Sequence, residues 1–434
     1  MPITEIAAPA FDLAYVRSQF PSLAQTVNGH PAAFLDGPGG TQVPQRVIDA
    51  ISAYLSHDNA NTGGAYQTSR HTDLMIARAR GAMADFLHSG ADEVVFGPNM
   101  TTLTFAIARA LGRELKAGDE ILVTRLDHDA NVSPWTTMAE DRGISVRWAD
   151  FDQADCTLDM ADLASKMNRN TKLVAVGYAS NGVGTVNPVK EIVRLAHKIG
   201  ALAYVDAVHY APHGLIDVAA LDCDFLVCST YKFFGPHMGV LYGKREHLQR
   251  FRPYKVRPNT NAIPNCWEWG TLNHECIAGI EACIEYIAGL GRRASLDGQP
   301  GRLSPQAPVT SRRAAIEAAY STIHEHERTL LGKMMAGLET IPGVKIYGIS
   351  APARFHERCP TVAVRIAGHT PLELATKLGE RGIFTWDGNY YALNLTERLD
   401  VERSGGFLRI GLVHYNTADE VDRLLAVLHE IVRG

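Results

Sequence analysis

Short apolar runs alternate along the chain with stretches of helical periodicity. The runs predict strands over 93–96, 120–123, 146–149, 173–177, 202–206 and 225–228, with a hairpin-like return over 240–242. Helices are predicted over 103–111, 160–167 and 188–199, the last closed by Gly200. Earlier in the chain, Val47, Ile48, Ile51 and Leu55 recur at helical spacing and predict a helix over 44–57. A short helix is expected over 12–20, and Phe34-Leu-Asp36 runs into the tight turn Gly37-Pro-Gly-Gly40. The small, polar stretch 59–69 reads as a loop that either connects or lines a site. Strands alternating with helices predict a parallel, doubly wound α/β sheet, which binds ligands at the C-terminal ends of its strands.

Beyond 243 the pattern changes. Residues 261–273 are irregular and rich in Trp and polar groups, 275–289 read as a helix, and 292–310 read as a solvent-facing linker. A long helix over 311–338 opens a second unit. That unit has strands over 361–366 and 407–411, and helices opened by the capping boxes Thr370-Pro-Leu-Glu373 and Thr417-Ala-Asp-Glu420. The expected organisation is an N-terminal segment, 1–30, packed on the body, a large domain over 31–310, and a small α+β domain over 311–434. No internal repeat is present.

Composition narrows the functional classes. With 46% apolar and 21% charged residues in 434, this is an ordinary globular chain. A net charge of −5 argues against a nucleic-acid surface. Residues 1–20 lack a basic region followed by an apolar run, and no apolar stretch reaches the ~18 residues of a membrane span. The seven cysteines form no CxxC pair and no Cys/His cluster at zinc spacing. Reduced thiols in a cytoplasmic protein without a metal site are therefore expected.

The strand ends carry the chemistry. Asp206 closes one apolar run, and Lys232 follows another, just before Phe233-Phe-Gly235. A lysine in apolar surroundings loses its charge readily and becomes a nucleophile. A carboxylate at a strand end can keep a ring nitrogen protonated. Together they point to pyridoxal phosphate (PLP), with Lys232 joined to the aldehyde and Asp206 on the pyridine nitrogen. The turn Gly97-Pro-Asn-Met-Thr101-Thr102 opens a helix after a strand, a natural anion site.

The chain resembles the class V aminotransferase group of fold-type I PLP enzymes, in its cysteine desulfurase/selenocysteine lyase branch. The resemblance runs from about Phe34 to Val432. It is carried by LDGPGGTQVP at Leu35, MTT at Met100, LDHDANVSPW at Leu126, SNGVGTVNP at Ser180, YVDAVHYAPH at Tyr204, LDCDFLVCSTYKFFGPHMGVLYG at Leu221, EWGTLN at Glu268 and LRIGLVHYNTADEVD at Leu408. It implies a large, mainly parallel sheet domain with a small C-terminal α+β domain. It also implies that His128 stacks on the cofactor ring and that Thr101, Thr102 and Ser229 cradle the phosphate. Asn181 then lies near the phenolate oxygen and the substrate carboxylate, and Arg409 clamps that carboxylate. The resemblance further implies that Thr271 reaches the phosphate of a neighbouring subunit, that the enzyme is a homodimer with shared sites, and that its substrate is a small amino acid.

The departures from the family pattern are as informative. Desulfurases carry a persulfide-forming cysteine on a C-terminal loop before the carboxylate-binding arginine, yet residues 360–434 contain no cysteine. The corresponding stretch reads Phe384-Thr-Trp386-Asp-Gly-Asn389-Tyr390-Tyr391, whose Trp386, Asn389, Tyr390 and Tyr391 either shape the substrate pocket or simply pack the loop. His209 replaces the usual glutamine and can donate to the phenolate oxygen. Tyr231 replaces the histidine before the lysine, with a hydroxyl that can serve the phosphate. The leading expectation is a lyase that removes the Cα proton and breaks a C–S or C–Se bond. An aminotransferase or epimerase is the alternative, and a non-catalytic PLP-fold binding protein a third.

Overall fold

The computed structural model describes residues 11–297 and 311–434. Seven strands form the main sheet: β1 (Val94–Gly97), β2 (Glu120–Thr124), β3 (Ser145–Ala149), β4 (Thr171–Gly177), β5 (Leu202–Asp206), β6 (Phe225–Ser229) and β7 (Gly239–Gly243). Their order is β1-β7-β6-β5-β4-β2-β3, and only β7 runs against its neighbours. The central strands are buried on both faces, which is why they read as continuous apolar runs rather than alternating ones. Alternate residues of β4 feed separate cores: Leu173 and Ala175 pack on one face, Val174 and Val176 on the other.

A four-stranded antiparallel sheet makes the smaller unit: β8 (Val344–Tyr347), β9 (Thr361–Ile366), β10 (Trp386–Gly388) and β11 (Phe407–Gly411), in the order β8-β9-β11-β10. Met334 and Leu338 from the long helix Arg312–Leu338 pack against it, with Leu424 and Leu428 from the last helix, Ala418–Arg433. Ala33–Phe34 pairs in parallel with Ile383–Phe384 as a separate two-stranded sheet, which ties this early segment to the smaller unit. Thr417 and Glu420 form the reciprocal cap expected of them. At Thr370 only the first half forms: its hydroxyl accepts from Glu373 N–H, while the Glu373 carboxylate turns to His369 and Lys377.

Several elements differ from the sequence expectation. Gln67–Leu87 is a 21-residue helix that begins inside the stretch expected to be a loop. Its core stripe rests on Met75, Ala79, Met83 and Phe86, where small alanines mute the apolar signal. The helix His274–Asp297 runs through 292–297, the start of the expected linker, and Arg292 and Arg293 are held there by Glu285 and Asp12. The rest of that linker, 298–310, lies outside the described residues, as do 1–10 of the N-terminal segment. Residues 386–391, read as a loop, begin with β10 on the edge of the small sheet. No helix among the described residues is long and apolar enough to cross a membrane.

Candidate active site

A cleft of about 1400 Å³ lies over the C-terminal ends of β2, β4, β5 and β6, roofed by the segment that follows β10. One end is built for an anion. The helix Met100–Leu111 is capped by Asn99, whose Oδ1 accepts from Thr102 N–H at 2.8 Å. That capping leaves the first N–H groups of the helix facing the cleft, with Met100 N–H 3.4 Å from Ser229 Oγ. Asn99, Met100, Thr101 and Ser229 line the cleft. Thr102 is exposed and outside the lining, because its N–H is already committed to the cap. Of the three expected phosphate positions, Thr101 and Ser229 thus line the cleft and Thr102 does not. Gly239 lies against it so closely that a Cβ there would meet the Asn99 carbonyl carbon at 2.3 Å.

At the other end stand Lys232 and two carboxylates. Lys232 Nζ donates to the carbonyls of Pro38 and, at 3.1 Å, Gly39, in the glycine-rich turn. Its stem is partly open to the cleft, but Nζ is enclosed. Burial and the nearby Arg409 cation pull its pKa from 10.5 down to about 7. Asp206, buried at the end of β5, accepts from Val208 N–H at 2.9 Å, and burial pushes its pKa up to about 6. Asp127, which the motif reading passed over, is fully buried and accepts from Gly177 N–H at 2.7 Å. Desolvation, aided by Asp206, lifts it to about 8. The only sequence signal for it was an acid directly before His128.

His128 Nδ1 accepts from Ala130 N–H at 3.0 Å, so the proton of the neutral ring sits on Nε2. Burial, then Lys232 and Arg409, lowers its pKa to about 4, which keeps the ring neutral. Tyr391 stacks beside it, with centroids 5.5 Å apart. Arg409 on β11 is 3% exposed. Its guanidinium donates to Asn181 O at 3.0 Å, lies 3.6 Å from Asp36 and sits 4.1 Å over the Tyr390 ring, with Nε unpartnered. Asp36, whose pKa burial raises to about 6, faces this guanidinium.

Asn389 and Tyr390 line the cleft, but their polar atoms face the protein. Asn389 bonds Glu402 and Tyr391 N–H, and the Tyr390 hydroxyl bonds Trp386 O and Phe407 O. Both residues hold the roof. Tyr231 lines the cleft and stacks on His237, at a centroid distance of 4.8 Å. Thr271 is exposed and lies outside the cleft of its own chain.

These residues fit the group that the sequence implied. Asn181 Oδ1 is buried without a partner at the cleft wall, which the His209 ring also lines, and Asp206 is a buried carboxylate without a cation in direct contact. An elongated molecule with a phosphate at the helix N-terminus and a cationic ring nitrogen at Asp206 matches this distribution of charge.

Comparison with known proteins agrees with the geometry. The Aminotransferase class-V family profile matches residues 33–299 and 310–424. A cysteine desulfurase of Serratia proteamaculans (strain 568) is 33% identical over 438 residues, covering 97% of this chain and 98% of that one. The apo structure of a cysteine desulfurase from Thermococcus onnurineus NA1 superposes with a TM-score of 0.84 at 25% identity, covering 97% of this chain and 98% of the other. The Escherichia coli cysteine desulfurase CsdA shares the fold, with a TM-score of 0.80 at 24% identity over 98% of this chain and 99% of its own.

Proposed function

Because this chain belongs to the class-V aminotransferase family and is cysteine desulfurase-like, we propose that it is a PLP-dependent enzyme acting on a small amino acid. Within that family it is a lyase that cleaves a β C–S or C–Se bond without forming a persulfide. The observation that carries this reading is the absence of cysteine from 360–434, where residues 386–391 carry aromatic and amide side chains instead of a thiol. When bound, PLP supplies an aldehyde that captures the substrate amine and a protonated ring that draws electrons from Cα.

The chain's own residues do the rest. The N–H groups of Met100 and Thr101, with Ser229 Oγ, hold the phosphate. Asp206 keeps the proton on the pyridine nitrogen, because ion pairing stabilises its charge where burial alone disfavours it. His128, neutral and flat, offers the ring face. His209 and Asn181 meet the phenolate edge. Arg409 exchanges Asp36 for the substrate carboxylate, which orients the Cα–H bond. Lys232, with a pKa near neutrality, removes the Cα proton as general base and passes it to the departing sulfur or selenium. The β substituent then leaves with its electron pair, and no cysteine of the C-terminal unit's 360–434 stretch is there to intercept its sulfur. Two subunits with shared sites belong to the same proposal, with Thr271 turned outward toward the partner's phosphate.

The test is product analysis with L-cysteine, L-cystine and selenocysteine. A lyase releases pyruvate and ammonia, whereas a desulfurase releases alanine. Alanine as the main product would sink the proposal. So would keto-acid-dependent conversion of the cofactor to its pyridoxamine form without pyruvate.

A further inference from the structure

Behind the cleft wall, three side chains meet that sequence spacing did not connect. His209 and His213 stand on the turn after β5, and Cys359 lies just before β9. One ring nitrogen from each histidine and the Cys359 sulfur lie within 4.8 Å of one another, and all three residues are buried. His213 Nδ1 is 2.9 Å from Glu327 Oε2, on the long helix Arg312–Leu338. That contact places the His213 proton on Nδ1 and turns the Nε2 lone pair toward the cluster. Nε2 of both histidines is buried with no partner. An unpaired buried polar atom is costly, so two imidazole nitrogens left unpaired beside one buried thiol call for a common ligand.

The donor chemistry selects that ligand. Two neutral imidazoles and a thiol are borderline-soft donors that suit Zn²⁺ and disfavour Mg²⁺ or Ca²⁺. A carboxylate behind a ligating histidine is the usual orienting arrangement. Zinc bonds of about 2.0–2.3 Å require the three donors to draw together by about 1 Å, a movement available to a turn and a loop. Water completes the fourth position. A cavity of about 80 Å³, lined by His213, Glu327 and Cys359 and rimmed by the exposed His324 and Arg328, gives a route of entry.

We infer that His209, His213 and Cys359, oriented by Glu327, form a zinc site joining the turn after β5 to the segment that enters β9. Zinc displaces the thiol proton of Cys359, which burial retains in the metal-free chain, and the proton passes to solvent without any redox change. Zinc on one side of His209 fixes the ring whose other side meets the cleft. The site is independent of the reaction assigned to the cleft, since its test reads metal content.

Full-length protein with its cofactor is loaded with ZnCl₂, desalted and assayed by mass spectrometry for metal. The expected result is about one zinc per chain, falling at least about tenfold in Cys359→Ala and in His213→Ala. Glu327→Gln should weaken affinity by about 10–100-fold while leaving the stoichiometry at saturation unchanged. With Co²⁺ in place of zinc, a thiolate-to-metal charge-transfer band should appear in the wild type and vanish in Cys359→Ala. Less than about a tenth of a zinc per wild-type chain, or no such cobalt band, overturns the inference. Unchanged binding in the folded Cys359→Ala and His213→Ala variants does the same. Where those variants fail to fold, Glu327→Gln and the wild-type cobalt spectrum decide.

Discussion

Replacing Lys232 with methionine should stabilise the cofactor-free protein, and by an amount that depends on pH. Lys232 Nζ is enclosed beside the Arg409 cation, and its pKa falls from 10.5 to about 7 on folding. Between those values the unfolded chain binds the proton and the folded chain does not. Wild-type stability therefore rises with pH through this window, and the strain of the buried ammonium is felt most below pH 7. Each pH unit is worth at most about 1.4 kcal/mol. Allowing for half-protonation at pH 7, the rise from pH 7 to 9 is about 2 kcal/mol. Methionine fills a similar volume and carries no charge, so the variant lacks this component. Urea unfolding of both apoproteins at pH 7, 8 and 9 measures it. The variant should be the more stable at pH 7, and its advantage should shrink by about 2 kcal/mol at pH 9. Asp127, with a pKa near 8, titrates in both proteins and cancels in the difference. An advantage that stays constant within about 0.5 kcal/mol, or grows with pH, would refute the claim that the site holds its lysine at the expense of stability.

Arg409→Gln removes two charge-assisted hydrogen bonds to the substrate carboxylate, each worth about 1.5–3 kcal/mol. It should lower kcat/KM for the amino acid by about 10²–10⁴-fold and leave turnover of an amine without a carboxylate nearly unchanged, whereas a loss under about tenfold would remove Arg409 from the clamp role. Gly239→Ala drives a Cβ into the Asn99 backbone, which cannot swing aside as a side chain can. A PLP titration should show affinity at least about tenfold weaker, with stability lower by about 1–3 kcal/mol, and unaltered cofactor binding would displace the phosphate from this helix N-terminus. Arg80→Met leaves Glu268 buried without the guanidinium that holds both its oxygens at 2.7 and 2.8 Å. Urea unfolding should show a loss of about 3–5 kcal/mol, the cost of orphaning a buried carboxylate.

The central strands were legible because each is a short, continuous apolar run, and burial on both faces demands that pattern; the edge strand Ser145–Ala149 instead alternates. Asp206 and Lys232 stood out because polar residues at the ends of such runs have few structural reasons to be there. The helix Gln67–Leu87 was illegible because alanine carries much of its buried face and gives little periodic contrast. Thr102 matched the motif yet stands outside the cleft lining, with its N–H given to the Asn99 side chain. Asn389 and Tyr390 looked like substrate ligands, yet their polar atoms were needed to satisfy the roof's own backbone and neighbours.

By itself, the sequence determined the order of strands and helices, the family, and the pair of residues suited to a PLP site, because periodicity, capping and strand-end placement are local signals. Only the tertiary structure decided how those residues behave. Lys232 meets a carbonyl 194 residues away, Arg409 is occupied by Asp36, and His209, His213 and Cys359 converge from two parts of the chain. Desolvation and charge coupling depend on what closes around a group, and that closure comes from segments far apart in sequence.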